Sequence, residues 1–283
     1  MGLHVANYTA ADIKALRERT GAGMMDVKKA LDEANGDAEK AMELIRIKGL
    51  KGATKREGRS TSEGLVAAKV VEGTVGVMIE LSCETDFVAK NDKFIALAAK
   101  VLDIAVSSGA ADLETLLAVD VEGKTLADVV TEEGAVLGEK VIVRRLSRIE
   151  GASVDAYLHK TSKDLPAQVG VLVAVDGAGE AAATVAHDVA VHTAAMAPTV
   201  LSRDDIDAEI VESERRIAQE TAVAEGKPEA AMTKIVEGRL TGFFKEQVLV
   251  DQAFAKDAKK TVGKVLEEAG VNATAFARFR VGA

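Results

Sequence analysis

The chain carries a single cysteine, Cys83, which excludes an intramolecular disulfide and cannot alone supply a thiolate zinc cluster. That usage fits a reducing, cytoplasmic setting. No apolar run approaches the roughly 20 residues of a membrane-spanning helix, and the N-terminus lacks the basic-then-apolar pattern of a secretory signal. No membrane partner is expected. Basic charge is not in excess: 36 Lys and Arg stand against 45 Asp and Glu, a formal net charge of -9. Broad electrostatic capture of RNA or DNA is therefore not expected, and any nucleic-acid role would need a local patch. Met1–Ala6 has neither a cap nor a periodic face and reads as a short leader, with His4 inside it.

Catalytic motifs are also missing. Gly123-Lys124-Thr125 looks like the end of a phosphate-binding loop, but position 118 is Ala where the earlier glycine should stand, and Asp120 and Glu122 would set negative charge beside a phosphate. Gly21-Ala22-Gly23 follows a helix and has Asp26 where a dinucleotide fingerprint needs its third glycine. His187 and His192 are five apart and diverge on a helix, and Cys83 ends an apolar strand, where a buried structural thiol outweighs a nucleophile. The reading is a protein without covalent chemistry of its own, with no cofactor and no metal.

What is present is ample material for cores: 283 residues, 48% hydrophobic and 29% charged, which favours about two domains. Residues 7–50 read as three short helices. Thr9 caps the first, with Asp12 three positions on and Gly21 as its stop; Val27, Ala30, Leu31 and Ala34 mark the second; Asn35-Gly36 ends it, and Asp37 caps a third containing Leu44 and Ile45. Residues 51–62 lack apolar periodicity and read as an exposed linker.

Residues 63–152 and 153–283 then read as two related subdomains. Each opens on two strands (64–71 and 76–81; 154–159 and 170–175) followed by an Ala-rich helix. Each closes on a Lys-Thr step, a short helix and a strand: Lys124-Thr125 in the first, Lys260-Thr261 in the second. Within the second, residues 203–248 read as an inserted antiparallel coiled-coil hairpin. Its outgoing stripe is Ile206, Ile210, Ser213, Ile217 and Thr221, and its returning face holds Met232, Val236, Leu240, Phe243 and Phe244. Two ordinary core helices are the alternative. The expected fold class is α+β, with antiparallel sheets.

Two segments stand outside this account: Arg17-Glu18-Arg19-Thr20-Gly21-Ala22-Gly23-Met24-Met25-Asp26 and Cys83-Glu84-Thr85-Asp86-Phe87-Val88-Ala89-Lys90-Asn91. Met24 and Met25 are adjacent, so one helix cannot point both at its own core. Thr85-Asp86-Phe87-Val88 falls at a tip between strand and helix. Phe87 either folds back on its own subdomain or stands exposed at a burial cost of about 2 kcal/mol that only a partner would recover.

Together with the doubled body, the hairpin and the ending Arg278-Phe279-Arg280-Val281-Gly282, these segments closely resemble the elongation factor Ts family over nearly the whole chain. The chain stops at Ala283, whereas some members carry a further C-terminal helical module, so that module's contacts are not carried over. The resemblance implies a ubiquitin-associated-like N-terminal module that docks, through Arg17, Met24 and Met25, on the nucleotide domain of elongation factor Tu. It implies that Thr85, Asp86, Phe87 and Val88 enter the partner and disturb its Mg²⁺ and phosphate site, with His159 as a further contact. Elongation factor Tu, GDP-bound and nucleotide-free, is the implied partner; homodimer and 2:2 complex both stay open. The rival reading is a ribosome or RNA adaptor using Lys51, Lys55, Arg56 and Arg59.

Overall fold

The computed structural model describes residues 7–20 and 22–283; the leader and the stop expected at Gly21 lie outside the described residues. Helix α1 (Ala10–Thr20) opens on a reciprocal cap. The Asp12 carboxylate accepts from the Thr9 N–H and hydroxyl, both at 2.7 Å, and the Thr9 hydroxyl accepts from the Asp12 N–H. Helix α2 (Met24–Glu33) buries Val27, Ala30 and Leu31 against Leu16, Ala41 and Ile45. Asn35 and Gly36 both take left-handed backbone (φ 53° and 86°), and Asp37 caps the next helix by accepting from the Lys40 N–H.

That helix, α3 (Ala38–Arg56), corrects the sequence reading: it runs through residues 51–56, which were expected to be linker, and only 57–62 are irregular. Lys, Arg and Ala are good helix formers and need no apolar stripe of their own. The helix is also held from outside, because Gly49 lies so close to Ala135 that an added Cβ would sit 2.9 Å from the alanine's own. Arg46 pairs with Glu132 on the same neighbouring helix.

Strands β1 (Glu63–Val71) and β2 (Val75–Cys83) pair antiparallel through a turn in which Glu72 and Gly73 both have positive φ. Helices α4 (Asp86–Ala89), α5 (Asp92–Ser108) and α6 (Leu113–Leu117) follow. A small hairpin, β3 (Asp120–Val121) and β4 (Lys124–Thr125), leads into α7 (Leu126–Leu137), and β5 (Ile142–Glu150) closes the sheet in the order β1-β2-β5. The Gly-Lys-Thr string thus sits at a hairpin turn, with Glu122 and Gly123 left-handed and Thr125 forming a capping box with Asp128.

The second half repeats the plan. Strands β6 (Ser153–His159) and β7 (Val169–Val175) precede α8 (Glu180–Met196). After the helical pair α9 (Ala208–Ala224) and α10 (Met232–Gln247) comes a hairpin of β8 (Ala253–Phe254) and β9 (Asp257–Thr261). Thr261 then caps α11 (Val262–Glu268), and β10 (Ala273–Arg280) closes the sheet β6-β7-β10. The fold is α+β, with antiparallel pairing within each sheet.

The two sheets face each other through Val66 and Met78 on one side and Leu172 and Phe279 on the other. Gly170 permits the approach: a Cβ there would stand 2.4 Å from Val66 Cγ1 and 2.8 Å from Met78 Sδ. Separate cores lie behind each sheet, around Phe94 and Val101 under α5 and around Val185 and Val189 under α8.

In the helical pair the expected stripe is displaced. Ile210 and Ile217 are about half exposed and Thr221 faces out, while Ala218 packs with Val236 and Leu240 and Ala222 is buried. Alanines let two helices approach closely, and that contact outweighs the larger isoleucines one position away. Arg215–Glu237 and Arg239–Glu225 ion pairs bridge the edges. The pair keeps its own small cluster and is closed at its base where the Thr199 N–H donates to Gln247 O at 2.9 Å. Replacing residues 217–235 with a short Gly-containing turn is therefore expected to leave cooperative thermal unfolding intact, with a melting temperature lowered by about 5 °C or less; loss of the cooperative transition would place the pair in the main core.

Candidate functional site

Strand β2 ends at Cys83, and the chain reverses direction in the next few residues. Thr85 is extended and accepts from the Val88 N–H, which starts the single turn of α4, and Asn91 caps α5 by accepting from the Lys93 N–H at 2.9 Å. Val88 and Ala89 are buried in the first subdomain's core beside Phe94. With that side anchored, the preceding residues of the turn point outward, and Phe87 is 74% exposed. The reading in which Phe87 folds back into its own core is overturned. The ring's described neighbour is the Lys90 ammonium, 4.8 Å from its centroid, and the same ammonium lies 3.0 Å from the Asp86 carboxylate. The tip therefore offers an apolar ring, one carboxylate and one cation on a rigid base.

Beneath it, Cys83 is inert. Burial, reinforced by the Glu139 carboxylate, pushes its thiol up to about 12, and Sγ donates to the Thr85 carbonyl at 3.2 Å.

Sequence reasoning missed the group that holds this turn. The Glu139 carboxylate accepts from the N–H groups of Glu84 and Thr85, both at 3.0 Å, and from the Thr85 hydroxyl at 2.5 Å. In return the Glu84 carboxylate accepts from the Lys140 N–H at 2.7 Å and pairs with Arg59 at 3.0 Å. These partners lie 54 to 56 residues apart for the loop pair, so no local pattern carries the signal.

On the N-terminal helices, Met24 and Met25 in the first turn of α2 are 58% and 63% exposed, so both thioethers face solvent. Arg17 is exposed on α1. His159 is exposed at the end of β6, where the Tyr157 hydroxyl meets its Nδ1 at 3.1 Å. Among the described residues no hydrogen bond, ion pair or ring contact joins Arg17, Met24, Met25 or His159 to the tip.

The other histidines are accounted for locally. His192 is buried, accepts from the Ala255 N–H at Nδ1 and so donates from Nε2 to Gln252, and burial lowers its basicity. His187 lies 3.1 Å from Asp155, whose carboxyl is raised by burial. Among the described residues no group of three His, Cys, Asp or Glu is placed to hold a metal ion, and no helix is long and apolar enough to cross a membrane.

The sequence model of the family described as Elongation factor TS matches residues 84–283, beginning within the tip. The chain belongs to the elongation factor Ts family. The elongation factor Ts of an Arthrobacter species is 81% identical over 278 residues, covering 98% of this chain and 100% of the relative. That of Micrococcus luteus is 76% identical with the same coverage, and that of Kineococcus radiotolerans is 58% identical over 279 residues, covering 99% of this chain and 100% of the relative. These relatives span the N-terminal helices that the family match leaves out. Family membership makes the protein a translation elongation factor.

Proposed function

We propose that the protein is a guanine nucleotide exchange factor for elongation factor Tu, acting in the cytoplasm without covalent chemistry or a cofactor. The observation that carries the reading is Phe87, a large apolar ring held in solvent on an anchored turn in a member of the elongation factor Ts family. Phe87 enters a pocket between partner helices while Asp86 shifts groups around the partner's Mg²⁺, and Thr85 and Val88 set the turn. Arg17, Met24 and Met25 grip the nucleotide domain from a ubiquitin-associated-like module, residues 7–50, and His159 adds a contact from the second subdomain. The helical pair within 203–248 is an antiparallel coiled-coil insertion.

The factor need not touch the nucleotide. If it binds the emptied partner more tightly than the loaded one, linkage requires nucleotide to bind the complex more weakly by the same factor. A thousandfold faster release needs about 4 kcal/mol off the barrier, within reach of one buried aromatic and a few satisfied contacts. The direct test is release of a fluorescent GDP from elongation factor Tu: acceleration without nucleotide consumption is expected. No acceleration, together with RNA binding that weakens steeply with salt, would replace this reading with the adaptor. The basic segment that the adaptor would use is partly committed elsewhere, Arg59 to Glu84 and Arg56 to the Gly49 carbonyl.

Met24 and Met25 contribute grip rather than opening. The double change Met24→Ala with Met25→Ala is expected to raise the half-saturating factor concentration about tenfold or more, as loss of two exposed thioether anchors does. The saturated rate should move by about twofold at most. An unaltered titration curve would remove both residues from the interface.

A further inference from the structure

We propose that Glu139 is a positioning residue for the exchange tip, a role that rests on the exchange reading above. Glu139 stands just after α7, where Gly138 takes left-handed backbone (φ 84°) and the Glu139 N–H donates to the Gly134 carbonyl at 3.1 Å. Its backbone is thus fixed by the end of a helix whose Leu126 and Val130 are buried in the first subdomain's core. From that fixed point three donors of the tip converge on one carboxylate: two backbone N–H groups and one hydroxyl, at 3.0, 3.0 and 2.5 Å. A carboxylate suits the place because it accepts all three and brings no donor of its own.

The bonds fall where direction matters. They fix Glu84 and Thr85, the two residues between the last residue of β2 and the first of α4, and so set the angle at which the turn bearing Phe87 leaves the sheet. The clamp is reciprocal, since the Glu84 carboxylate returns a bond to the Lys140 N–H at 2.7 Å. It also reaches the chain leaving α3, because Arg59 pairs with Glu84 and the Lys140 ammonium donates to the Glu57 carbonyl. One knot of side chains therefore ties the tip, the end of α7 and the junction to the N-terminal helices. An exposed wedge on an unclamped turn would lose conformational freedom when the ring inserts as the nucleotide site opens; the clamp removes that cost in advance. Its effect belongs to the opening step rather than to the grip.

The experiment compares Glu139→Ala, which removes the acceptor of all three bonds, with Glu139→Gln, whose side-chain carbonyl can still accept from the two N–H groups. Val143→Ala, which loosens the core under β5 opposite Leu81 but removes none of the Glu139 bonds, serves as the control for stability. For Glu139→Ala the saturated GDP-release rate should fall about tenfold, while the half-saturating concentration stays within about twofold. Amide exchange at Glu84 and Thr85 in the free protein should accelerate about tenfold or more, with α5 amides unchanged. Glu139→Gln should recover most of both effects, and Val143→Ala should lower the melting temperature without slowing saturated release. A wild-type rate in Glu139→Ala overturns the role, as does Glu139→Gln as slow as Glu139→Ala, or Val143→Ala slowed equally. If the wild-type protein itself fails to accelerate release, the exchange reading falls and this role with it.

Discussion

Replacing Phe87 with alanine is expected to lower the saturated rate of GDP release about 30-fold, the equivalent of roughly 2 kcal/mol, while the free protein melts almost where it did before. The two halves of this expectation have separate causes. In the free protein the ring is 74% exposed and its described contact is the Lys90 ammonium at 4.8 Å, so truncation removes little buried area and an exposed cation–π contact of about 0.5–1 kcal/mol. The roughly 3–5 kcal/mol lost on deleting a buried phenylalanine does not apply. On the proposed exchange reading the ring becomes buried as the nucleotide site opens, so its loss would act on the barrier. Asp86→Ala should slow release by only about two- to threefold, because its carboxylate is half exposed and already paired with Lys90. Thermal unfolding of the free variant and its saturated exchange rate decide the matter: a large fall in melting temperature with wild-type release would reject the wedge.

What the sequence made legible follows the range of the interactions. Thr9 with Asp12, Asn35-Gly36 and Asp37 are caps and turns whose donors and acceptors lie within a few residues, and each stands where local reasoning puts it. The duplicated order of two strands, Ala-rich helix, Lys-Thr step, short helix and closing strand was visible for the same reason, whereas the small hairpins that carry the two Lys-Thr steps were not. Periodicity located α9 but chose the wrong face, since apolar spacing cannot tell the isoleucine stripe from the neighbouring one, where Ala218 packs against the second helix and Ala222 is buried. The extension of α3 escaped because its support is Ala135, 86 residues from Gly49, rather than a stripe of its own. Of the site, the exposure of Phe87 was an open alternative in the residues themselves. The Glu139 clamp was invisible, as a contact made entirely across the fold.

The same holds, with larger energetic consequence, for the buried charge that joins the two halves. Glu80 sits in the middle of β2 and is fully buried, opposite Arg145 of β5; the register slips between Glu80 and Leu81, so that Arg144 is an extra residue there. Arg145 Nε donates to the Glu80 carboxylate at 2.7 Å, its Nη2 donates to the Arg280 carbonyl at 2.7 Å, and the guanidinium lies 4.5 Å over the Phe279 ring. Ser82 and the Gly282 N–H complete the carboxylate's partners. One side chain thus neutralises a charge in the first sheet and holds the last strand of the second. Arg145→Ala leaves the carboxylate buried with neutral donors and only Arg144, at 4.0 Å, to balance it. The expected loss is about 3–5 kcal/mol, as for breaking a buried pair from one side, or a fall of about 10 °C in melting temperature for a chain of this size. The double change Glu80→Met with Arg145→Met should recover much of it, because a well-packed apolar pair avoids desolvating either charge. Thermal unfolding of the single and double variants tests the assignment. A loss below about 1 kcal/mol in Arg145→Ala would mean that water reaches Glu80, and a double variant no more stable than the single one would mean that the packing of the guanidinium on Phe279, rather than its charge, holds the sheets together.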